Sequence, residues 1–153
     1  GRPAIIDVGV GTYTRQTFSP ERYEIWTMQS GYHQLPKING VDQMQGRQYR
    51  AKNTSFSADA KKAVFSTDIA GAYTDEAAVK KWVRSYRLDR GKKFTISDAW
   101  ELAEVKEQAT SLNFITYCKV TEQEPGKLKL QGDGFELFMK PSKSQLIIYI
   151  LSI

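Results

Sequence analysis

The chain has 153 residues, of which 41% are hydrophobic, and this length and composition suit one globular domain with a sizeable core. A formal net charge of +5 makes anions plausible partners, but the cations are scattered and no nucleic-acid-binding motif is present. No apolar run is long enough to span a membrane, and the pattern of a signal peptide is missing from the first residues, GRPAIIDVGVG. We therefore expect a single domain over residues 1–153, with neither nucleic acid nor a membrane as its partner.

The first predicted elements are strands and one tight turn. Residues 4–10 are almost continuously apolar, and residues 25–28 mix β-branched with aromatic side chains, so both stretches predict half-buried strands. Between them, Ser19 followed by Pro20 is typical of the start of a short helical turn. Asn39-Gly40 is typical of a type I′ hairpin turn, which we expect to join residues 35–38 to the residues after Val41.

Later elements are predicted by alternation and by turn residues. A second short helical turn is expected at residues 74–79, and residues 82–88 alternate as a strand that a turn at 89–92 joins to residues 94–100. Further turns at residues 124–127 and 131–134 separate strands near 112–120, 128–130 and 135–139. The spacing predicts an all-β fold, an antiparallel β-sandwich of supersandwich-like type, with one or two short helical turns.

The one cysteine and the three tryptophans of the chain all have ordinary structural interpretations. Cys118 lies in an apolar-rich stretch, so we expect a buried small hydrophobe rather than a nucleophile. Trp26, Trp82 and Trp100 each fall within an apolar strand pattern, which favours core packing over stacking on sugar rings. No nucleotide-binding loop, nucleophile elbow or zinc-spaced cysteine and histidine cluster is present in the sequence.

His33 is the only histidine, and tyrosines lie near it in the sequence: Tyr13, Tyr23, Tyr32 and Tyr49. A regular strand would send Tyr32 and His33 to opposite faces, so His33 would then need a partner from elsewhere. A lone histidine beside a turn is more often a surface or structural residue than a catalytic one. Downstream, Arg47, Arg50 and Lys52 either meet an anionic polymer or are simply solvated.

One segment resembles the β-sandwich region of heparinase II/III-like polysaccharide lyases. The resemblance covers residues 7–46 most distinctively and rests on these residues: Ile5 to Tyr13 as IIDVGVGTY, Phe18, Arg22, Tyr32-His33, Ile38-Asn39-Gly40 and Gln43. In that family the histidine is usually followed by asparagine, and here Gln34 stands in its place. The remainder of the chain matches only as a β-rich continuation.

The resemblance implies a two-part enzyme that cleaves acidic, uronic-acid-containing polysaccharides by β-elimination. An N-terminal α/α toroid would supply most of the active site, including the tyrosine base, and this chain would be the C-terminal β-domain, inactive by itself. His33 would reach the cleft and contribute charge neutralisation or proton transfer. We expect Tyr32, Tyr13, Arg47 and Arg50 to bind the substrate, and a periplasmic or secreted location. The apolar ends, residues 4–10 and 145–153, also suggest a segment of a longer protein.

Some members of that family hold a metal ion in this domain. With one histidine, a structural zinc or calcium would need oxygen ligands beside His33, such as Asp42 or Asp68. Two other functions stay open from the residues alone. One is a non-catalytic carbohydrate-binding module, suggested by three tryptophans and positive charge, and the other is a purely structural or interaction domain.

Overall fold

A computed structural model describes residues 2–140 and 147–152 of the chain. The strands in these residues are β1 Pro36–Lys37, β2 Lys52–Ala58, β3 Lys62–Asp68, β4 Val79–Asp89, β5 Lys93–Leu102, β6 Ser111–Thr116, β7 Lys119–Glu124, β8 Lys127–Gly132, β9 Phe135–Met139 and β10 Ile147–Ser152. They form three sheets whose pairings are antiparallel except for the parallel pair of β10 and β6. The all-β, sandwich-like fold class predicted from the sequence is therefore confirmed. No helix within the described residues is long and apolar enough to cross a membrane.

The chain divides into two compact units. The first unit contains Gly1–Lys37 and Ala109–Ile153, and the second contains Ile38–Gln108. The sheets β1-β6-β10 and β7-β8-β9 belong to the first unit, and the sheet β2-β3-β4-β5 belongs to the second. That residues 1–153 act as a single domain stays a prediction.

The second unit is built on its four-stranded antiparallel sheet. β4 and β5 correspond to the strands predicted at residues 82–88 and 94–100, and they pair from Trp82↔Trp100 to Asp89↔Lys93. The predicted turn at residues 89–92 joins them, with Gly91 at φ 70°, where glycine has no steric penalty. The helical turn expected at residues 74–79 is present as a 3₁₀ turn, Asp75–Ala77, and a second turn lies at Ala70–Ala72.

One face of this sheet changes from buried to exposed along its length. Side chains alternate across a strand, so Trp82, Arg84, Tyr86 and Leu88 share a face, as predicted. At one end Trp82 is fully buried and stacks on Trp100 with ring centroids 5.1 Å apart. Towards the other end large apolar side chains are exposed, namely Phe56, Phe65, Leu88 and Phe94. Core packing was thus a correct prediction for Trp82 and wrong for Trp100, which is 38% exposed.

The turn at Asn39-Gly40 has the predicted backbone conformation. Both residues have positive φ, 49° and 78°, as a type I′ turn requires, and a bridge closes it between Ile38 and Val41. The predicted longer hairpin is wrong for the described residues, because β1 pairs with β6 instead. The buried Asn39 amide donates to two backbone carbonyls, and both distances are 2.9 Å. Side-chain hydrogen bonds therefore hold the turn where a strand ladder does not.

The first unit contains a mixed sheet and a three-stranded meander. The strand predicted at residues 112–120 is two strands, β6 and β7, because the chain turns at Tyr117 and Cys118. Cys118 is buried, as predicted, and its backbone N–H donates to Thr116 Oγ1 at 2.9 Å. The strands predicted around 128–130 and 135–139 are confirmed as β8 and β9.

The N-terminal segment of the first unit differs most from its prediction. Residues 4–10 form no strand, although Ile6 N–H donates to the Ile115 carbonyl at 2.9 Å. The chain continues through four 3₁₀ turns: Gln16–Phe18, Pro20–Glu24, Trp26–Met28 and Ser30–Tyr32. The strands predicted at residues 4–10 and 25–28 are therefore wrong, and the number of helical turns was underestimated. The Ser19 cap was correct, since Ser19 Oγ accepts from Glu21 N–H at 3.2 Å.

Candidate functional site

His33 caps the 3₁₀ turn Ser30–Tyr32, the fourth of the N-terminal segment, and contacts two other parts of that segment. Its Nδ1 is 2.6 Å from Asp7 Oδ2, and its Nε2 is 3.1 Å from the backbone carbonyl of Thr27. The imidazole is 25% exposed and the Asp7 carboxylate is 57% exposed. His33 therefore lies at the surface of the unit with both ring nitrogens engaged.

The two partners of His33 determine which form of the ring satisfies both contacts. The Asp7 carboxylate and the Thr27 carbonyl are both hydrogen-bond acceptors, so each of these hydrogen bonds requires an N–H on the imidazole. The two contacts are both hydrogen bonds only when each ring nitrogen carries a proton, as in an imidazolium paired with a carboxylate. The hydrogen bond from His33 holds the pKa of Asp7 below its usual range, and the Gly9 N–H, 2.8 Å from Oδ1, acts in the same direction.

Neighbouring amides fix the loop on which His33 is placed. The side-chain amide of Gln34 donates to the Ile6 carbonyl, one residue before Asp7. The Asn113 amide, on β6, donates to the Gly31 carbonyl at 3.2 Å. The Gln34 side chain thus ties the histidine loop to the Asp7 segment and supports the His33–Asp7 pair.

An exposed aromatic surface accompanies this pair in the N-terminal segment. Tyr13 and Phe18 stack with centroids 5.7 Å apart, and Trp26 meets Tyr32 edge-on at 5.3 Å. The Arg22 guanidinium lies 5.5 Å from the centroid of the Tyr23 ring. All five aromatic side chains are more than a third exposed. Each exposed ring offers an apolar face to a ligand such as a sugar ring.

The predicted site residues fall into both units. His33, Tyr32 and Tyr13 belong to the N-terminal segment of the first unit, whereas Arg47 and Arg50 are exposed residues of the second. The expectation that Tyr32 and His33 point to opposite faces of a strand is wrong, because Tyr32 ends a 3₁₀ turn that His33 caps. Tyr49, another tyrosine considered beside the histidine, is also in the second unit.

The metal ligands proposed from the sequence belong to different units, with His33 in the first. Asp42 and Asp68 belong to the second unit, and Asp68 Oδ1 accepts from Ala70 N–H at 3.1 Å and Trp82 N–H at 3.2 Å. Residues 2–140 and 147–152 contain no group of three or more acidic, histidine or cysteine side chains that could hold a metal ion. Zinc binds the lone pair of an imidazole nitrogen, so a zinc ion at His33 would have to displace one of these two hydrogen bonds. A structural zinc or calcium beside His33 stays a prediction.

Sequence reasoning missed four participants in this region. Asp7 was placed in a strand rather than beside His33, the Thr27 carbonyl carried no sequence signal, and Phe18 and Trp26 were not recognised as exposed partners of tyrosines. Trp26 was predicted to be in the core and is 46% exposed. The available signal was the clustering of Ser19, Pro20 and glycines in this segment, which argues against regular strands.

No protein-family model and no curated protein sequence matches this chain.

Proposed function

We propose that this chain is the C-terminal β-domain of a polysaccharide lyase of the heparinase II/III-like type, acting on acidic, uronic-acid-containing polysaccharides in the periplasm or outside the cell. An N-terminal α/α toroid would complete the cleft and supply the base. Two observations support the proposal: residues 7–46 resemble that family, and two residues of this stretch are in contact, with His33 Nδ1 2.6 Å from Asp7 Oδ2.

The chemistry of β-elimination requires a proton donor as well as a base. The base removes the proton α to the uronic acid carboxylate, a carbon–carbon double bond forms, and the bond to the leaving glycosidic oxygen breaks. That oxygen takes the electron pair and needs a proton, which a positioned acid supplies. In this proposal the acid is His33 in its doubly protonated form, with one N–H on Asp7 and the other on the Thr27 carbonyl.

The two hydrogen bonds of His33 assign different tasks to its nitrogens. Asp7 orients the ring through Nδ1, as a carboxylate does for a catalytic histidine in other enzymes. Nε2 holds its proton on the Thr27 carbonyl at 3.1 Å, a neutral and longer contact that a substrate oxygen can replace. In this proposal His33 donates the proton from Nε2, and the exposed rings of Tyr13 and Tyr32 contact the sugar.

The test is an assay of the natural full-length protein on heparan sulfate, alginate and pectic polysaccharides, following the absorbance of the unsaturated uronide. We expect activity on at least one substrate, and a loss of about 10²–10⁴-fold in kcat for His33→Ala, as is typical of a general acid. His33→Gln is the matched variant, because its amide can donate to the Thr27 carbonyl but has no acidic proton to transfer.

The paired variants separate catalysis from support of the loop. If His33→Gln retains activity while His33→Ala loses it, His33 is structural and the proton donor lies elsewhere. If wild-type protein forms no unsaturated product on any acidic polysaccharide, the lyase proposal fails. Circular dichroism of each variant establishes that the loss of activity does not arise from unfolding.

A carbohydrate-binding module is the second candidate, favoured by the exposed pairs Tyr13–Phe18 and Trp26–Tyr32. In this alternative the 153-residue chain binds polysaccharide without any other domain. Tyr13→Ala should weaken that binding by about tenfold, the loss of one stacking contact of about 1.4 kcal/mol. Tyr117→Ala is the control, since Tyr117 and Tyr13 are both 63% exposed, in the same unit. Calorimetric titration in which both variants bind equally well would remove the aromatic surface from the binding site.

A further inference from the structure

The two hairpin turns at one end of the four-stranded sheet lie side by side. Because Lys62 at the start of β3 pairs with Asp89 at the end of β4, the β2–β3 turn and the β4–β5 turn meet at the same end. The Arg90 N–H donates to the Lys61 carbonyl at 2.9 Å, and Arg90 Nε donates to the Asp59 carbonyl at 3.3 Å. These bonds hold the two turns together as one surface, which we call the basic tip.

The basic tip carries most of the excess charge of the chain. Six cations lie there against two carboxylates, an excess of four within a chain of formal net charge +5; the charged residues are Lys61, Lys62, Arg87, Arg90, Lys92, Lys93, Asp59 and Asp89. All eight are exposed except Asp89, which is half-buried. So many like charges within a few strand spacings repel one another unless an anion lies among them.

Both carboxylates of the tip are already occupied by other groups. Asp89 accepts from the Arg87 guanidinium at 2.9 and 3.0 Å, and Asp59 Oδ1 accepts from the backbone N–H groups of Lys61 and Lys62 at 2.7 and 2.9 Å. Among the described residues, no ion pair to a carboxylate is found for the other cations of the tip: Lys61, Lys62, Arg90, Lys92 and Lys93. Five cations therefore remain available to an external anion.

We propose that the basic tip is a binding site for a linear acidic polysaccharide, separate from the His33 site. The choice of polymer rests on the proposed function, and the tip would anchor the chain that the cleft cleaves. Four of the five available cations are lysines, compact point charges that attract spaced anionic groups without requiring the two-point geometry of a guanidinium.

The arrangement of the tip disfavours nucleic acid as the polymer. Single strands are bound by aromatic side chains on which bases stack, next to a basic groove. Neither turn contains an aromatic residue, and alternation places Lys62, Arg87 and Lys93 on the face opposite Phe94. The cations thus have no stacking platform on their own face, whereas an acidic polysaccharide needs only spaced charges.

The experiment measures binding of alginate, heparin and a single-stranded DNA oligonucleotide to the 153-residue chain over a series of salt concentrations. We expect Lys92→Gln with Lys93→Gln to weaken polysaccharide binding by about tenfold at low salt and to reduce the salt dependence by about two counterions. The matched control is Lys80→Gln with Lys81→Gln, another adjacent lysine pair of the same sheet, at the opposite end of β4. The control should change binding less than about twofold.

Several results would overturn the proposal. If the two double variants lose polysaccharide binding equally, the attraction is diffuse and the tip is not a site. Tighter binding of DNA than of both polysaccharides would assign the tip to nucleic acid. Failure of the wild-type chain to bind either polysaccharide also rejects it. The lyase proposal is judged separately, because binding at the tip is measured without turnover.

Discussion

Two regions of the chain use a carboxylate and a cation in opposite ways. In the second unit, Arg84 and Asp98 form a two-point ion pair at 2.8 and 2.9 Å, with side chains only 2% and 5% exposed. In the N-terminal segment of the first unit, the Asp7–His33 pair is much more exposed. A buried pair must be complete for the sheet to fold, while a partly exposed pair can exchange its partners. The difference separates a structural network from a candidate site.

The buried pair also shows how a sheet face is assembled. Asp98 Oδ1 accepts from Trp82 Nε1 at 2.6 Å as well as from Arg84, so one carboxylate satisfies two buried donors of β4. Burial alone lowers the pKa of Arg84, and the hydrogen bonds and charges of Asp98 and Tyr86 outweigh it, so that the pKa lies above its ordinary value. The guanidinium therefore remains charged, and its carboxylate partner is required.

The largest expected effect is on this buried pair. Asp98→Ala leaves the Arg84 charge and the Trp82 N–H buried without their carboxylate, which should lower the free energy of unfolding by about 3–5 kcal/mol. Denaturant unfolding monitored by tryptophan fluorescence measures the loss. Asp89→Ala is the control, because Asp89 has a similar two-point contact with Arg87 at the exposed basic tip. A comparable loss of unfolding free energy in Asp98→Ala and Asp89→Ala would contradict the distinction between the buried pair and the exposed one.

A second, smaller effect is expected at the Asn39 turn. Asn39→Ala removes two donated bonds of 2.9 Å and one accepted from Lys106 N–H at 3.2 Å, at a buried position with positive φ. We expect a loss of about 2–4 kcal/mol in the free energy of unfolding, measured by denaturant titration. Asn53→Ala, at an exposed position with nearly the same φ of 52°, tests the backbone contribution alone. Equal losses would mean that the side-chain bonds contribute nothing.

Prediction from the sequence succeeded where local signals act at short range. The strand around Trp82 was predicted because Trp82, Tyr86 and Leu88 all fall on one face of an alternating pattern, and the turn at Gly91 joins it to the next strand along the chain. The Asn39-Gly40 turn has the backbone expected of its dipeptide. In these places the neighbouring residues favour the conformation that the whole fold also requires, so one sequence was sufficient to predict it.

Prediction failed where contacts between distant residues determine the path. Residues 4–10 are apolar enough for a strand, but the Asp7 carboxylate binds Gly9 N–H and His33, 26 positions away. The spacing of apolar and polar residues along the sequence does not indicate that Asp7 pairs with His33. The exposure of Trp26 is a similar case, because the apolar pattern around it predicts burial whereas its residue belongs to a 3₁₀ turn at the surface.

The smallest expected effect concerns the pH dependence of the Asp7–His33 pair. The pKa of Asp7 is lowered in the folded chain, chiefly by the hydrogen bond from His33, so its contribution to stability is present above the ordinary value of 3.8 and is lost as the pH falls through the lowered pKa. Because the carboxylate is more than half exposed, the contribution should stay within about 1 kcal/mol. Asp7→Asn should therefore lower the unfolding temperature slightly at pH 7 and leave it unchanged in strong acid.

The control for this measurement is another acidic residue of the same unit that contacts a cation. Asp133 lies 2.8 Å from Arg2, but its side chain is fully exposed, so Asp133→Asn should leave the unfolding temperature unchanged at every pH. Thermal unfolding from neutral to strongly acidic pH compares the two variants. If Asp7→Asn shows the same pH profile as wild type, the hydrogen bond between Asp7 and His33 does not contribute to stability. The histidine would then reach a substrate without the orienting partner on which its role as a proton donor depends.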